Sequence, residues 1–209
     1  MQYQMQGPSG ADTTLPTEGD AAETHRIRIL EGMAGVLAEK GYQAATIADI
    51  AKHARVSKRT FYEHFADKQA CFIACYVTAS EFLIQTIVNA ASRDMPWEKR
   101  SRAATYAYLF ALESRPGLTR ALMMDIYGAG PEALKVRRTV QNRFADQLRR
   151  LVDQGRKDKP GLRKLSPAMA AAVIGGINEL VLLAVEEGRT QALTQLAITA
   201  DDLLRAVLA

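Results

Sequence analysis

Lys58, Arg59 and Thr60 directly follow Ser57 and precede the run Phe61-Tyr62-Glu63-His64-Phe65. A serine ahead of such a run caps a helix, so the two cations and the hydroxyl stand at its N-terminal end. Lysine and arginine donate to guanine O6 and N7, and a threonine methyl packs on the thymine methyl. Tyr62, His64 and the hydroxyl of Thr46 suit phosphate oxygens. So does Lys68 at the opening of the next helix, where free backbone N–H groups also attract anions. On an ordinary solvated helix the same residues carry no function, so the surrounding elements decide.

Those elements are short and tightly spaced. Thr46-Ile47-Ala48-Asp49 fits a capping box and predicts a helix to about His53. Ala54-Arg55-Val56 predicts a turn, and Ser57 caps a second helix from Lys58 to His64. Ile47, Ile50, Ala51, Val56, Phe61 and Phe65 are the apolar positions, and Ile50, Val56 and Phe61 must share one small core. Two helices locked steeply across a three-residue turn push the second into a DNA major groove.

Thr46-Ile47-Ala48-Asp49-Ile50-Ala51, Ala54-Arg55-Val56-Ser57, Phe61-Tyr62-Glu63-His64-Phe65 and Asp67-Lys68 together resemble the N-terminal domain of the TetR (tetracycline-repressor) family. Ile29-Leu30 and Gly41-Tyr42 also stand where that family places them. The resemblance covers about residues 24–70. It implies a dimeric, ligand-responsive repressor that binds a palindromic double-stranded operator and is released by a small, mostly apolar effector. One position departs: the family commonly has glycine where this chain has Arg55. If the turn needs positive φ there, arginine costs about 1 kcal/mol relative to glycine, and a phosphate contact offsets part of it.

The rest of the chain is read as helical, giving an all-α fold of about nine helices on periodicity alone. The helices run from about Thr24 to Lys40, with Ile27, Leu30, Ala34 and Leu37 on its buried stripe and Gly41 as its cap, and from Asp67 to Ala91. Further helices are Pro96–Ser114, Leu118–Tyr127, Pro131–Gln154, Pro167–Glu187 and Thr194–Leu208. Residues 1–23 are polar and read as a disordered tail without the basic start and apolar core of a signal peptide. Residues 24–70 form the DNA-binding domain and 71–209 a helical domain for effector binding and dimerisation. The 209 residues carry a net charge of +4, and the densest basic stretch, Lys135 to Lys164, lies outside the recognition elements. It reads as a solvated helix back.

All three histidines lie at or before His64, and the C-terminal part has no phosphate loop and no acidic pair at metal-ligand spacing. No catalytic residue, metal site or cofactor is expected. A helical enzyme and a protein-interaction adaptor are the rival classes. Cys71 and Cys75 share a helix face among apolar neighbours and read as buried structural thiols. Trp97, Tyr106, Phe110, Met123, Tyr127 and Phe144 are the candidate lining of an effector pocket. The segment Ala168–Val185 is the membrane-like window, but Asn178 and Glu179 inside it favour a buried helix, so no membrane is expected and the cytoplasm is the expected compartment. Homodimerisation through 167–187 and 194–208 is what the resemblance implies. Gly175-Gly176 suits close helix approach there.

Overall fold

The computed structural model describes residues 18–209. The tail expected over 1–23 lies outside the described residues as far as residue 17. From Glu18 the chain is helical, and α1 runs Glu18–Ala44 with a break at Gly41, where φ is 73°. The earlier start follows from Ala21 and Ala22, strong helix formers within a stretch that holds no proline. α2 (Ile47–Ala54), α3 (Lys58–His64) and α4 (Lys68–Ala90) follow, capped by Thr46, Ser57 and Asp67. α5 is Trp97–Glu113, α6 Pro116–Met124, α7 Pro131–Asp158, α8 Pro167–Glu186 and α9 Ala197–Leu208. Two 3-10 segments, Asp125–Tyr127 and Thr190–Leu196, complete the all-α architecture, and no strand occurs among the described residues.

Three helix ends differ from the sequence expectation. Pro116 opens α6 instead of ending the chain's previous run, because at the first helical position its missing N–H is no loss. α7 continues through Gly155 to Asp158. Gly155 is buried with the Trp97 indole pressed against it, so it serves as a slot inside the helix and not as a loop residue. α9 starts later than Thr194, after the 3-10 segment.

A first core joins Ile29, Leu30, Met33, Val36 and Leu37 of α1 to Ile50, Phe61 and Phe65, with Val56 packed against it. Ile50, Val56 and Phe61 do share one core. Ile27 does not belong to it: 47% exposed, it lies off a buried face that α2, α4 and α6 turn toward Met33. The same core contains Cys71, Phe72 and Cys75 of α4, Leu118 and Ala121 of α6, and Ile126, Ala129 and Ala133. The boundary expected at residue 70 therefore falls in the first turn of a helix that serves both sides, with no linker. Two further cores hold the C-terminal bundle, one around Trp97, Leu151, Val152 and Leu208 and one around Tyr108, Leu109, Val181 and Leu193.

α4 joins α8 as a helix long and apolar enough to cross a membrane, although only Ala168–Val185 is expected from the sequence. Each packs along part of its surface: α4 against α1, α5 and α7, and α8 against α7 and the second 3-10 segment.

Candidate nucleic-acid interface and internal cavities

Local hydrogen bonds build the recognition elements. Thr46 Oγ1 accepts from the Asp49 N–H at 3.2 Å, and Asp49 Oδ2 accepts from the Thr46 N–H at 3.0 Å, closing the capping box. Lys40 pairs with the same carboxylate at 2.7 Å. The lysine and the threonine hold the Asp49 carboxyl down at about 2. Ser57 Oγ accepts from the Thr60 N–H at 2.9 Å and meets Thr60 Oγ1 at the same distance. The hydroxyls of Thr46, Ser57 and Thr60 are thus engaged in caps while staying at the surface.

Phe61 is fully buried, and this fixes the rotation of α3. Lys58 and Arg59 then face outward with Tyr62. The Arg59 side chain is 90% exposed, and its Nε meets Glu63 Oε1 at 3.2 Å along the same helix. Tyr62 is 56% exposed, its ring set edge-on to Phe61. His64 is half-buried beside the His25 ring. Arg55 is the one non-glycine residue with positive φ among the described residues, at 53°. Its carbonyl accepts from Arg28 Nη2 at 2.7 Å, a tie between α1 and the turn that the sequence reading missed.

The C-terminal bundle holds two adjoining, partly open cavities, called outer for the one beside the 3-10 turn Asp125–Tyr127 and inner for the one beyond it. The inner one holds about 70 Å³ and is lined by Trp97, Ala104, Leu148, Leu151, Ile174 and Leu204 among others. The outer one holds about 130 Å³ and brings in Tyr76, Met123, Tyr127, Arg137, Gln141 and Glu179. Tyr108, Phe144 and Asn178 line both. The Tyr108 hydroxyl donates to Asn178 Oδ1 at 3.0 Å, and the Phe144 ring abuts the Tyr108 ring. Burial pushes the Tyr76 hydroxyl up to about 12 and raises that of Tyr108 as well, so both stay neutral donors.

Of the six expected lining residues, Trp97, Met123, Tyr127 and Phe144 do line these cavities. Tyr106 and Phe110 do not. They stack on each other on the outer face of α5, about half exposed, while Tyr108 turns inward between them. Asn178 and Arg137 are lining residues that aromatic and methionine content alone could not have indicated, and Tyr76 of α4 is an aromatic whose sequence reading is packing only. Cys71 and Cys75 are free and buried, and burial raises both thiols, Cys75 to about 12. Among the described residues no cluster of His, Cys, Asp and Glu gathers that could hold a metal ion.

Residues 29–75 match the family described as "Bacterial regulatory proteins, tetR family". YdeS of Bacillus subtilis, an uncharacterised HTH-type transcriptional regulator, is 31% identical over 144 residues, 68% of this chain and 66% of its own length. The chain belongs to the tetR family. It spans between half and two thirds of the length of the curated relatives it matches. Over 86 to 88% of this tetR-family chain the fold is also that of solved regulators. FadR from Bacillus halodurans superposes with a TM-score of 0.75 at 20% identity, covering 86% of this chain and 94% of that one. FadR from Bacillus subtilis, solved in complex with stearoyl-CoA, gives 0.74 at 18% identity, covering 88% and 99%.

Two positions of this tetR-family chain give direct tests. Glycine at 55 relieves the left-handed strain while adding chain entropy to the unfolded state. Arg55→Gly is expected to stabilise the fold by about 1 kcal/mol or less, raising Tm by up to roughly 4 °C in a thermal unfolding scan. Lys68 differs from its sequence reading. Its ammonium donates to the carbonyls of Tyr42 at 2.9 Å and Ala45 at 3.0 Å and lies 4.4 Å from the Tyr42 ring centroid. It closes the end of α1, with little left for a phosphate. Lys68→Met is expected to cost about 1.5–3 kcal/mol of stability. The salt slope of DNA binding should stay unchanged, where loss of a phosphate contact would flatten it by about one unit.

Proposed function

We propose that this tetR-family transcriptional regulator is a homodimeric repressor of the cytoplasm. It binds a palindromic operator through α3 and releases it when an apolar, chain-like effector enters the cavities of α4–α8. The observation that carries the reading is the joint between the two halves. The Tyr42 N–H donates to Asp125 Oδ2 at 2.6 Å, Gln43 Nε2 to the Gly128 carbonyl at 3.2 Å, and Gln69 Nε2 to the Ala129 carbonyl at 2.5 Å. Ile126 and Tyr127, on the same 3-10 turn as Asp125, line the outer cavity. An occupant that moves Tyr127 moves the seat of the α1 corner, and α1 shares its core with α3. Such coupling needs an effector that binds the two arrangements with different affinity.

The apolar inner cavity supports a chain-like effector, as does the likeness to a FadR solved with stearoyl-CoA. Dimerisation is assigned to 167–187 and 194–208. α8 exposes Ala168, Ala172 and Leu183, and α9 exposes Ile198. Two half-sites one helical turn apart then multiply the weak affinity of a single short helix. For Lys58, Arg59 and Thr60 the role is base-edge contact, and for Thr46, Arg55, Ser57, Tyr62 and His64 phosphate contact. Most cations of the Lys135–Lys164 stretch are engaged, for example Arg143 with Glu81 and Lys159 with Glu98, so no second nucleic-acid site is assigned to them.

A gel-shift titration on the DNA upstream of the protein's own gene tests this. A salt-sensitive complex tighter than that on random DNA is expected. No complex on either DNA overturns the reading in favour of an adaptor.

A further inference from the structure

Arg137 is a cation without an acid. It lies half-buried on α7 in the wall of the outer cavity, its guanidinium carbon 4.7 Å from the Tyr127 ring centroid. Nη1 donates to Gln141 Oε1 at 3.2 Å. Among the described residues no carboxylate pairs with it, whereas Lys135, Arg143 and Arg149 on the same helix pair with Glu132, Glu81 and Asp146. The Tyr127 ring compensates only part of the cost of drawing a guanidinium away from water. An anion compensates far more, through two charge-assisted hydrogen bonds to one planar fork.

The inner cavity has the opposite character. No charged side chain lines it, and its few polar groups (Ser101, Thr105, Gln147 and Asn178) are neutral. Cavities of about 70 and 130 Å³ are each smaller than the roughly 300–1,000 Å³ of ordinary ligand pockets. An occupant that reaches both Trp97 and Arg137 must part the Tyr108–Asn178 hydrogen bond that stands between them. A cationic ligand is disfavoured. Glu179, the one acid of the outer lining, is exposed, and the adjacent Tyr127 face is already taken by a like charge.

Resting on the proposed effector role of these cavities, we propose that the ligand is an amphipathic anion, with its apolar tail beside Trp97, its anionic group on Arg137, and its chain passing between Tyr108 and Asn178. A carboxylate and the phosphates of a thioester conjugate share this chemistry.

Trp97 is the only tryptophan of the chain, so its fluorescence reports the tail directly. The full-length protein is titrated with dodecanoate, dodecan-1-ol, dodecanoyl-CoA and 12-bromododecanoate, each below its micelle concentration. The brominated tail is expected to quench Trp97. Dodecanoate or dodecanoyl-CoA should bind at least tenfold tighter than the alcohol; whichever of the two does so identifies the anion as carboxylate or phosphate. Arg137→Gln should abolish that advantage and leave the affinity for dodecan-1-ol within about twofold, a control that the variant is folded. Arg137→Lys should keep most of the advantage. If the alcohol binds wild type as tightly as both anions, or Arg137→Gln leaves the ratio unchanged, the head-group assignment is overturned while quenching still upholds the cavity. If no probe binds or quenches, the effector reading of the cavities falls, and the assignment with it.

Discussion

Replacing Arg59 by alanine is expected to weaken operator binding by about 30-fold or more. A bidentate arginine–guanine contact is worth about 1–3 kcal/mol of discrimination, and the proposed dimer would lose it at both half-sites. The residue is placed for this by the burial of Phe61, which leaves its side chain 90% exposed at the N-terminal end of α3. Its partner Glu63 is no obstacle. An exposed i,i+4 pair is worth at most about 0.5 kcal/mol, so exchanging the carboxylate for a base edge costs little. Random DNA should lose far less affinity than the operator, because non-specific binding comes from phosphate contacts. Tyr62→Phe makes the contrast: it should weaken both DNAs by similar factors. Competition gel shifts with operator and random duplexes decide the matter. An Arg59→Ala protein that discriminates as well as wild type removes α3 as the reading element.

The parts of this interface that could be read from the sequence are local. Thr46 with Asp49, and Ser57 with Thr60, are hydrogen-bonded three residues apart, so type and spacing suffice to place the caps. The positive φ at Arg55 was legible only as a condition raised by the resemblance, which commonly places glycine there. Lys68 shows where such reasoning ends. Its carbonyl partners lie 26 and 23 residues away, and nothing near it in the chain announces them. The cavity wall poses the same difficulty. α5 carries aromatics on both faces, Tyr106 and Phe110 on one and Tyr108 on the other, and helical periodicity does not say which face is inside. The hydrogen bond from Tyr108 to Asn178, 70 residues on, belongs to the tertiary packing that decides it. Asn178 was visible only as a polar interruption of an apolar helix.

Gly32→Ala is expected to damage the DNA-binding half through packing alone. A Cβ at this position would lie 2.8 Å from the Ile50 carbonyl oxygen and 2.9 Å from the Ala54 nitrogen. Both are backbone atoms of α2, so no side-chain rotation relieves the contact, and α2 as a whole must retreat from α1. Overpacking of this kind costs about 1–3 kcal/mol, while alanine gains up to about 1 kcal/mol in helix propensity. A net loss of about 1–2 kcal/mol should lower Tm by roughly 2–8 °C. The larger effect is on geometry. α3 hangs on α2 through the shared core of Ile50, Val56 and Phe61, so a shifted α2 misplaces Lys58 and Arg59. Operator affinity should fall at least tenfold at a temperature where the variant is fully folded. Gly35, one turn further along α1, is the control: the atoms nearest a Cβ there belong to the His53 ring, an exposed side chain that can turn aside. Gly35→Ala should therefore leave Tm and operator affinity unchanged or slightly raise Tm. If Gly32→Ala behaves like Gly35→Ala in both thermal unfolding and gel shift, backbone contact between α1 and α2 does not set the position of the recognition helix.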